Sequence, residues 1–361
     1  MQKRILIIST NRLRRNGMST VIMNYYRFMK HDGLKFDFAI NNHIDADYRD
    51  EILARGDQVY LFKSRKSVPM MYIFRLRRLI KKNKYDVVHI HGNSGTILLE
   101  QLAARRMNAK VIVHAHGVQT NHPLIHKLTH KFLISNCDVA LAASQSAGEF
   151  MFGQDKQFQV IPNGIRFDRF SFNLEDRKLF RNKLDLNENT KMILCVGAFT
   201  KEKNQAFLIR LFHRLVRIDA NYRLVFIGQG DLMNDCKKLT MDLGIERLVF
   251  FLGKRDSVSE WYSAADIFAL PSLHESFGIV ALEAQANGLP CVLSDKLPYE
   301  VKLDNQVKFA SVDCPSSQET WVQDILKSGR VTVTKNDFYC WGRRGYDIVR
   351  IASKVRDIYI S

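Results

Sequence analysis

No apolar run in this chain approaches the roughly 20 residues that a membrane-crossing helix needs. The opening Met1-Gln-Lys-Arg4 followed by Ile5-Leu-Ile-Ile8 is too short an apolar region for a secretory leader, and polar Ser9 and Thr10 follow at once. It reads as a first buried strand, and the expectation is a cytoplasmic protein. Cysteine is sparse and scattered: Cys137, Cys195, Cys236, Cys291, Cys314 and Cys340 form no close pair with metal spacing, and several sit in or beside apolar runs. Buried reduced thiols are expected, with no zinc and no disulfide framework. There is no short-period repeat and no low-complexity tract. Acidic charge is also short, with 37 Asp+Glu against 54 Lys+Arg, a net charge of +17. The deficit is lopsided: residues 1–180 hold 29 basic against 15 acidic side chains, residues 181–361 hold 25 against 22. A basic first half beside a near-neutral second half points to an anionic surface or partner for the first half: nucleic acid, lipid headgroups or a lipid-linked diphosphate. No aromatic-interleaved, base-reading motif supports nucleic acid.

What is present is an alternation of short β-rich runs with helix-period segments. In the first half, strands are predicted at Arg4–Ser9, Phe36–Ile40, Gln58–Phe62, Asp86–Ile90, Lys110–His114, Val139–Ala142 and Phe158–Ile161, with helices around 18–30, 69–83, 96–107, 123–135 and 145–151. The second half repeats the scheme, with strands at Met192–Val196, Arg223–Ile227, Leu248–Phe251, Ile267–Leu270 and Pro290–Leu293 and helices near 204–217, 231–243, 258–264 and 279–287. The fold class is therefore α/β, two Rossmann-like doubly wound parallel sheets. The turn Pro162-Asn163-Gly164 marks the break, before an irregular charged stretch over 165–189. Domains are expected over 1–165 and 166–342, facing one another across a cleft lined by the carboxyl ends of their strands, the usual ligand edge of such sheets.

The most informative segment is Ser272-Leu-His-Glu275-Ser-Phe-Gly278-Ile-Val-Ala-Leu-Glu283-Ala-Gln-Ala-Asn-Gly288-Leu-Pro290. Strand, glycine turn and helix in succession put free backbone N–H groups and a positive helix end at the edge of a sheet, where a diphosphate can sit. Glu275 lies in the turn and can face whatever the phosphates carry. Glu283 lies in the helix among Ala281, Leu282, Ala284 and Ala286, where an unpartnered carboxylate is costly and calls for a hydroxyl or a cation. An acidic helix start plus an ordinary surface glutamate is the plainer alternative.

This stretch closely resembles the paired-glutamate motif of retaining glycosyltransferases of family four, which have the GT-B fold, as in bacterial capsule and exopolysaccharide synthesis. The resemblance runs from Lys3-Arg-Ile-Leu-Ile-Ile-Ser9 through Asn16-Gly17 and Ile161-Pro-Asn-Gly-Ile165 to Gly345-Tyr-Asp-Ile348. It implies that Glu283 holds the ribose hydroxyls and Glu275 contacts the donor sugar, with Ser276, Phe277, Gly278 and Ile279 around the phosphates. It also implies that the last helix, over 343–361 with Ile348, Ile351, Val355 and Ile358 in helical spacing, packs back on the first domain.

Lys203 follows the strand Ile193–Val196 and Gly197 at a helix head, where a lysine can neutralise phosphate as a point charge. The family's basic pair is incomplete here: Gly197 and Lys203-Asn204 are kept, but Ala198 stands where an arginine is expected. Gly17, within Arg14-Arg15-Asn16-Gly17, allows close backbone approach to an anion. The resemblance sets Lys254 and Arg255 near the nucleotide base, and matches His116-Gly117 to a histidine beside donor sugar and acceptor.

His89, His91, His114 and His116 alternate on two neighbouring strands, but no carboxylate or cysteine set accompanies them, and a metal site is set aside. His89 and His114 are read as satisfying buried polar contacts, and His91 is unassigned. The segment Lys63-Ser-Arg-Lys66 … Tyr72 … Lys84 is basic and amphipathic, suited equally to an anionic membrane surface and to a helix solvated on one face.

The function so implied is transfer of a sugar from a nucleoside diphosphate sugar, UDP foremost, to a saccharide or polyprenyl-diphosphate acceptor. No metal or other cofactor is expected, because Lys203, the N–H groups after Phe277-Gly278 and the Gly17 turn would meet the charge developing on the diphosphate. Glu275, His116 and Lys203 are the candidate catalytic groups. The alternatives are a GT-B enzyme that acts on the donor alone, and a basic nucleic-acid- or membrane-binding scaffold that has lost activity.

Overall fold

The computed structural model describes residues 2–361 except Arg15, Asn16, Ser64, Lys66, Gln119, Asn121, His122, Asp155, Ser276 and Pro315. The chain divides into two compact units, Met1–Gly164 with Ile348–Ser361, and Ile165–Asp347.

The first unit holds a seven-stranded sheet of β1 (Lys3–Ser9), β2 (Leu34–Asn41), β3 (Gln58–Phe62), β4 (Val87–Gly92), β5 (Lys110–Ala115), β6 (Val139–Ala142) and β7 (Gln159–Val160), in the order β3-β2-β1-β4-β5-β6-β7. Every pairing is parallel. The central strands are apolar without alternation (Ile5, Leu6, Ile7 and Ile8 are all buried) because helices cover both faces of a parallel sheet. The second unit holds β8 (Lys191–Val196), β9 (Tyr222–Ile227), β10 (Val249–Phe251), β11 (Ile267–Leu270), β12 (Cys291–Ser294) and β13 (Val307–Ala310), also parallel, in the order β10-β9-β8-β11-β12-β13.

The structure corrects several expectations. The stretch 165–189 is not irregular: a 3-10 turn at Phe167–Phe170 leads into a helix at Leu174–Asn182, started by the Asn173 side chain, which accepts from the N–H of Glu175 at 2.8 Å and of Asp176 at 3.1 Å. Strand β13 and the helices Ala46–Ala54, Ser317–Leu326 and Lys335–Trp341 are additional. The last helix begins at Ile348 rather than 343, because Gly345 at φ +97° breaks the helical path, a conformation only glycine takes cheaply. That helix, Ile348–Ile360, packs on Gly17–Phe28 in the first unit. Its terminal carbonyls are met by lysines: Lys3 Nζ reaches the Ile360 oxygen at 2.8 Å and Lys110 Nζ the Ile358 oxygen at 2.9 Å, a favourable placing of cations at a helix C-terminus.

Candidate functional site

In the second sheet the chain runs outward from β8 to β9 and β10, then returns to β11 and runs outward the other way. The crevice beyond the carboxyl ends of β8 and β11 is thus the point where strand order reverses, the place where open α/β sheets take ligands. Gly197, Lys203 and Asn204 follow β8; Glu275, Phe277, Gly278 and Ile279 follow β11. Lys203 and Glu275, 72 residues apart, form an ion pair between Nζ and Oε2. Two further bonds brace the loops that carry them: Leu273 N–H donates to the Glu202 oxygen at 2.7 Å, and the Asn204 amide to the Pro271 oxygen at 3.3 Å. Phe277 is buried, and Gly278 turns the chain at φ +84° into the helix Ile279–Ala286. A Cβ at Gly278 would lie 3.0 Å from Leu297 Cδ2, so both conformation and space favour glycine. The first turn of that helix carries N–H groups without intrahelical acceptors and the positive end of its dipole.

Glu283 sits one turn further on, flanked by buried Leu282 and Ala284 but itself partly open. Burial pushes its carboxyl up to about 7, opposed by the Tyr262 hydroxyl, which donates to Oε2 at 2.8 Å. Tyr262, on the helix Ser259–Ala264, is completely buried. Sequence reasoning missed this residue, since an apolar helix before a strand gives no sign which aromatic ring faces a carboxylate.

It also missed the glycines after β9. A Cβ at Gly228, where φ is +146°, would lie 1.9 Å from the Gly197 oxygen, and one at Gly230 2.3 Å from the Phe199 oxygen. These glycines let the loop after β9 press against the loop that carries Lys203, with Phe199 N–H donating to the Gln229 oxygen at 3.0 Å. Ala198, in place of the expected arginine, is exposed, and its carbonyl accepts from Gln205 at 2.9 Å. Lys254 and Arg255 follow β10 on the surface, where Arg255 lines a pocket of about 380 Å³ with Phe180, Leu184 and Trp261. Ser276 lies outside the described residues.

His116 and Gly17 belong to the first unit. Gly17 opens the helix Gly17–Phe28, and Arg15 and Asn16 lie outside the described residues. His116 follows β5, is buried, and has its N–H bonded to Asn93 Oδ1 at 3.1 Å. Burial pushes its imidazole down to about 3, so it is neutral at physiological pH and can exchange hydrogen bonds but supplies no charge. Its Nε2 lies 2.8 Å from His91 Nδ1, a partner the sequence left unassigned. His114 does not meet the expectation of satisfied polar contacts: among the described residues neither ring nitrogen has a hydrogen-bond partner. It stacks instead between Tyr25 and the neighbouring imidazoles.

A sheet edge offering a lysine, two carboxylates and a helix start has the chemistry to seat a nucleotide-linked sugar. Residues 15–169 match the model "Glycosyltransferase Family 4" and residues 176–328 the model "Glycosyl transferases group 1". The chain is 28% identical to "Putative glycosyltransferase EpsF" of Bacillus subtilis, over 99% of this chain and 96% of that one. It is 27% identical to an Escherichia coli "UDP-Gal:alpha-D-GlcNAc-diphosphoundecaprenol alpha-1,3-galactosyltransferase", over 84% and 81%. Its fold matches the crystal structure of Anabaena Alr3699/HepE in complex with UDP and glucose, with a TM-score of 0.79, 15% identity and 99% of each chain covered. It also matches WaaG, a glycosyltransferase involved in lipopolysaccharide biosynthesis, with a TM-score of 0.72 and 17% identity over 98% of this chain and 99% of that one. The protein is a glycosyltransferase. It belongs to family four, with the GT-B fold.

Proposed function

We propose that the protein transfers a sugar from a UDP-sugar to a saccharide or polyprenyl-diphosphate-linked acceptor, with retention of anomeric configuration, in the assembly of a surface polysaccharide. The observation that carries this reading is the meeting of Lys203 and Glu275 at the reversal point of the second sheet, with Glu283 one helical turn behind. The UDP donor and the lipid-linked acceptor draw support from the Escherichia coli relative, whose name contains both.

Lys203 and the first-turn N–H groups after Gly278 take up the negative charge that forms on the diphosphate as the glycosidic bond breaks, so no metal is needed there. Glu283 accepts from the ribose hydroxyls. Glu275 orients the donor sugar. Neutral His116 offers a hydrogen bond to sugar or acceptor and, with no carboxylate assigned as nucleophile, the acceptor attacks the face the phosphate leaves, its proton passing to that phosphate. The basic first unit suits an anionic acceptor and peripheral contact with the inner membrane face, which the exposed Met70, Met71 and Phe74 beside Arg75 and Arg78 support.

The test is calorimetric titration with UDP, GDP and ADP, with and without added magnesium, on the wild type and Glu283→Ala. The expected result is preference for UDP, unchanged by magnesium and largely lost in the variant. Equal and weak binding of all three nucleotides would overturn the donor assignment. Anomeric configuration is then read by NMR on the product formed with a polyprenyl-diphosphate sugar.

A further inference from the structure

We propose that His89, His91 and His114 of the first unit form a binding site for a single late first-row transition-metal dication of the zinc class, distinct from the donor site of the second unit.

Strand β4 brings His89 and His91 to one face of the sheet, and β5 brings His114 into register beside His91. The three imidazoles are buried to within 1% of complete burial, and one potential ligand nitrogen from each lies within 4.8 Å of the other two. Zinc–nitrogen bonds are about 2.0–2.1 Å long, which modest ring rotations reach from that spacing. Nitrogen-only donors of this kind suit zinc, nickel, cobalt and copper rather than magnesium or calcium.

The hydrogen bonds of His89 and His91 have the form a metal would require. A ligating histidine donates its other ring N–H to an outer partner, which fixes its orientation. His89 Nδ1 lies 2.6 Å from the Tyr359 hydroxyl and His91 Nδ1 lies 2.8 Å from His116 Nε2. The Nε2 of each is then the nitrogen left for the ion. Among the described residues His89 Nε2 and both nitrogens of His114 have no hydrogen-bond partner. Leaving such atoms unsatisfied in a core costs about 1–3 kcal/mol each.

A second observation offers room for a fourth ligand beside His91. A cavity of about 10 Å³, room for about one water, is lined by His91, Tyr25 and Tyr359 among others. Among the described residues the Tyr25 hydroxyl, also buried, has no hydrogen-bond partner. A water or hydroxide there completes a four-coordinate site and, as hydroxide, reduces the charge that would otherwise be buried without a counter-ion. The cavity is not lined by His89 or His114, so a lone water within it does not satisfy their orphan nitrogens. With His91 bound to the ion through Nε2, its Nδ1–H donates to His116 Nε2 and leaves the His116 proton on Nδ1. The ion thus ties β4 to β5 and fixes the tautomer of His116.

The test uses the full chain, metal-stripped, titrated with zinc and with cobalt. Uptake is measured by elemental analysis and by the visible spectrum of four-coordinate cobalt. The expected result is one ion per chain and a rise in thermal midpoint. Uptake is lost in His89→Asn and His114→Phe, kept in a Cys314→Ser/Cys340→Ser variant that removes the exposed thiols, and about 10- to 100-fold weaker in Tyr359→Phe, which removes an outer partner. UDP affinity stays unchanged throughout, which separates this site from the donor site. If the folded wild type takes up no stoichiometric ion, or uptake vanishes with the surface cysteines, the proposal is wrong and the cluster is held by hydrogen bonds and water alone. The wild-type titration decides the matter even if a histidine variant fails to fold.

Discussion

The Tyr262 hydroxyl, in the second unit's core, donates at 2.8 Å to the carboxylate of Glu283, which is carried by the helix that follows β11. One hydrogen bond does not offset the loss of water around a carboxylate, and the group remains pushed up to about 7. The free protein therefore carries an incompletely solvated acid. On the proposed function, two ribose hydroxyls would complete its shell, and the stability lost to that acid would be offset by nucleotide binding.

That exchange has a sign in pH. A glutamate whose pKa is higher folded than unfolded costs nothing below its ordinary range, where it is protonated in both states. Stability is lost as pH rises from that range through about 7, because the unfolded chain ionises more readily. Glu283→Gln should therefore raise the thermal midpoint more at pH 8 than at pH 5. Calorimetric scans of the nucleotide-free protein check this, and an equal shift at both pH values would contradict it. UDP binding should run the other way, strengthening as pH rises through about 7 in the wild type and losing that limb in the variant.

Tyr262→Phe removes the donor and leaves the ring packed against Phe268 and Phe170. Hydrogen bonds to charged groups contribute about 1.5–3 kcal/mol, so UDP affinity should fall on the order of 10-fold at pH 7. The pH limb should move upward, since a carboxylate deprived of its donor ionises less readily. Loss of affinity at all pH values without that movement would reduce Tyr262 to a packing residue.

Lys203 and Glu275 touch one another but should fail differently. On the proposed function Lys203→Met removes the charge that meets the phosphate, so affinity for UDP should drop on the order of 10- to 100-fold while affinity for uridine hardly changes. Glu275→Gln keeps shape and removes the charge that the proposed function sets beside the sugar. UDP binding should stay within a few-fold, while turnover falls by about 100-fold or more. Equal losses in both measurements for both variants would show that the pair serves only as a structural brace.

Much of this was legible in the residues. Continuous apolar strands separated by helix-period segments dictated two parallel sheets, and a glutamate set among apolar neighbours marked a carboxylate short of water, which the structure shows meeting one hydroxyl. The rest depended on contacts between segments far apart in sequence. Tyr262 is 21 residues from Glu283, and nothing in Trp261-Tyr262-Ser263 marks which ring reaches the acid. Gly228 and Gly230 have meaning only once β8 and β9 are neighbours. The helix Leu174–Asn182 was hidden because it is mostly polar, and its exposed Leu174 and Leu179 break the apolar period. The four imidazoles were visible at alternate positions, but which nitrogens lack partners is a matter of tertiary placement.

Two glycines with positive φ give a comparison of backbone strain with steric conflict. Gly244 at φ +67° has open space where a Cβ would be, whereas Gly228 at φ +146° has the Gly197 oxygen at 1.9 Å. Gly244→Ala should cost about 1 kcal/mol, the price of conformation alone. Gly228→Ala should cost about 1–3 kcal/mol for conformation and more for the displaced loop, and should also weaken UDP binding because that loop supports Lys203. Chemical denaturation of both variants decides it, and equal costs would mean the loop after β9 yields freely.

The helix Pro69–Asn83 separates its apolar residues into two groups. Tyr72, Leu76 and Ile80 are buried, one turn apart, while Met70 (75% exposed) and Phe74 (63%) face water beside Met71, Arg75 and Arg78. Substituting the exposed group leaves the core untouched, which makes membrane contact separable from folding. Met70→Ser/Phe74→Ser should keep the thermal midpoint and UDP affinity of the wild type yet lose about 10-fold or more in sedimentation with vesicles rich in acidic phospholipid, since burying one such side chain contributes about 1.5–3 kcal/mol. Arg75→Gln/Arg78→Gln should lose about 1 kcal/mol per charge, with the remaining binding less sensitive to salt. If both variants sediment like the wild type, or the wild type binds neutral vesicles equally well, this helix is only a solvated cover for its sheet, and the basic charge of the first unit serves the acceptor alone.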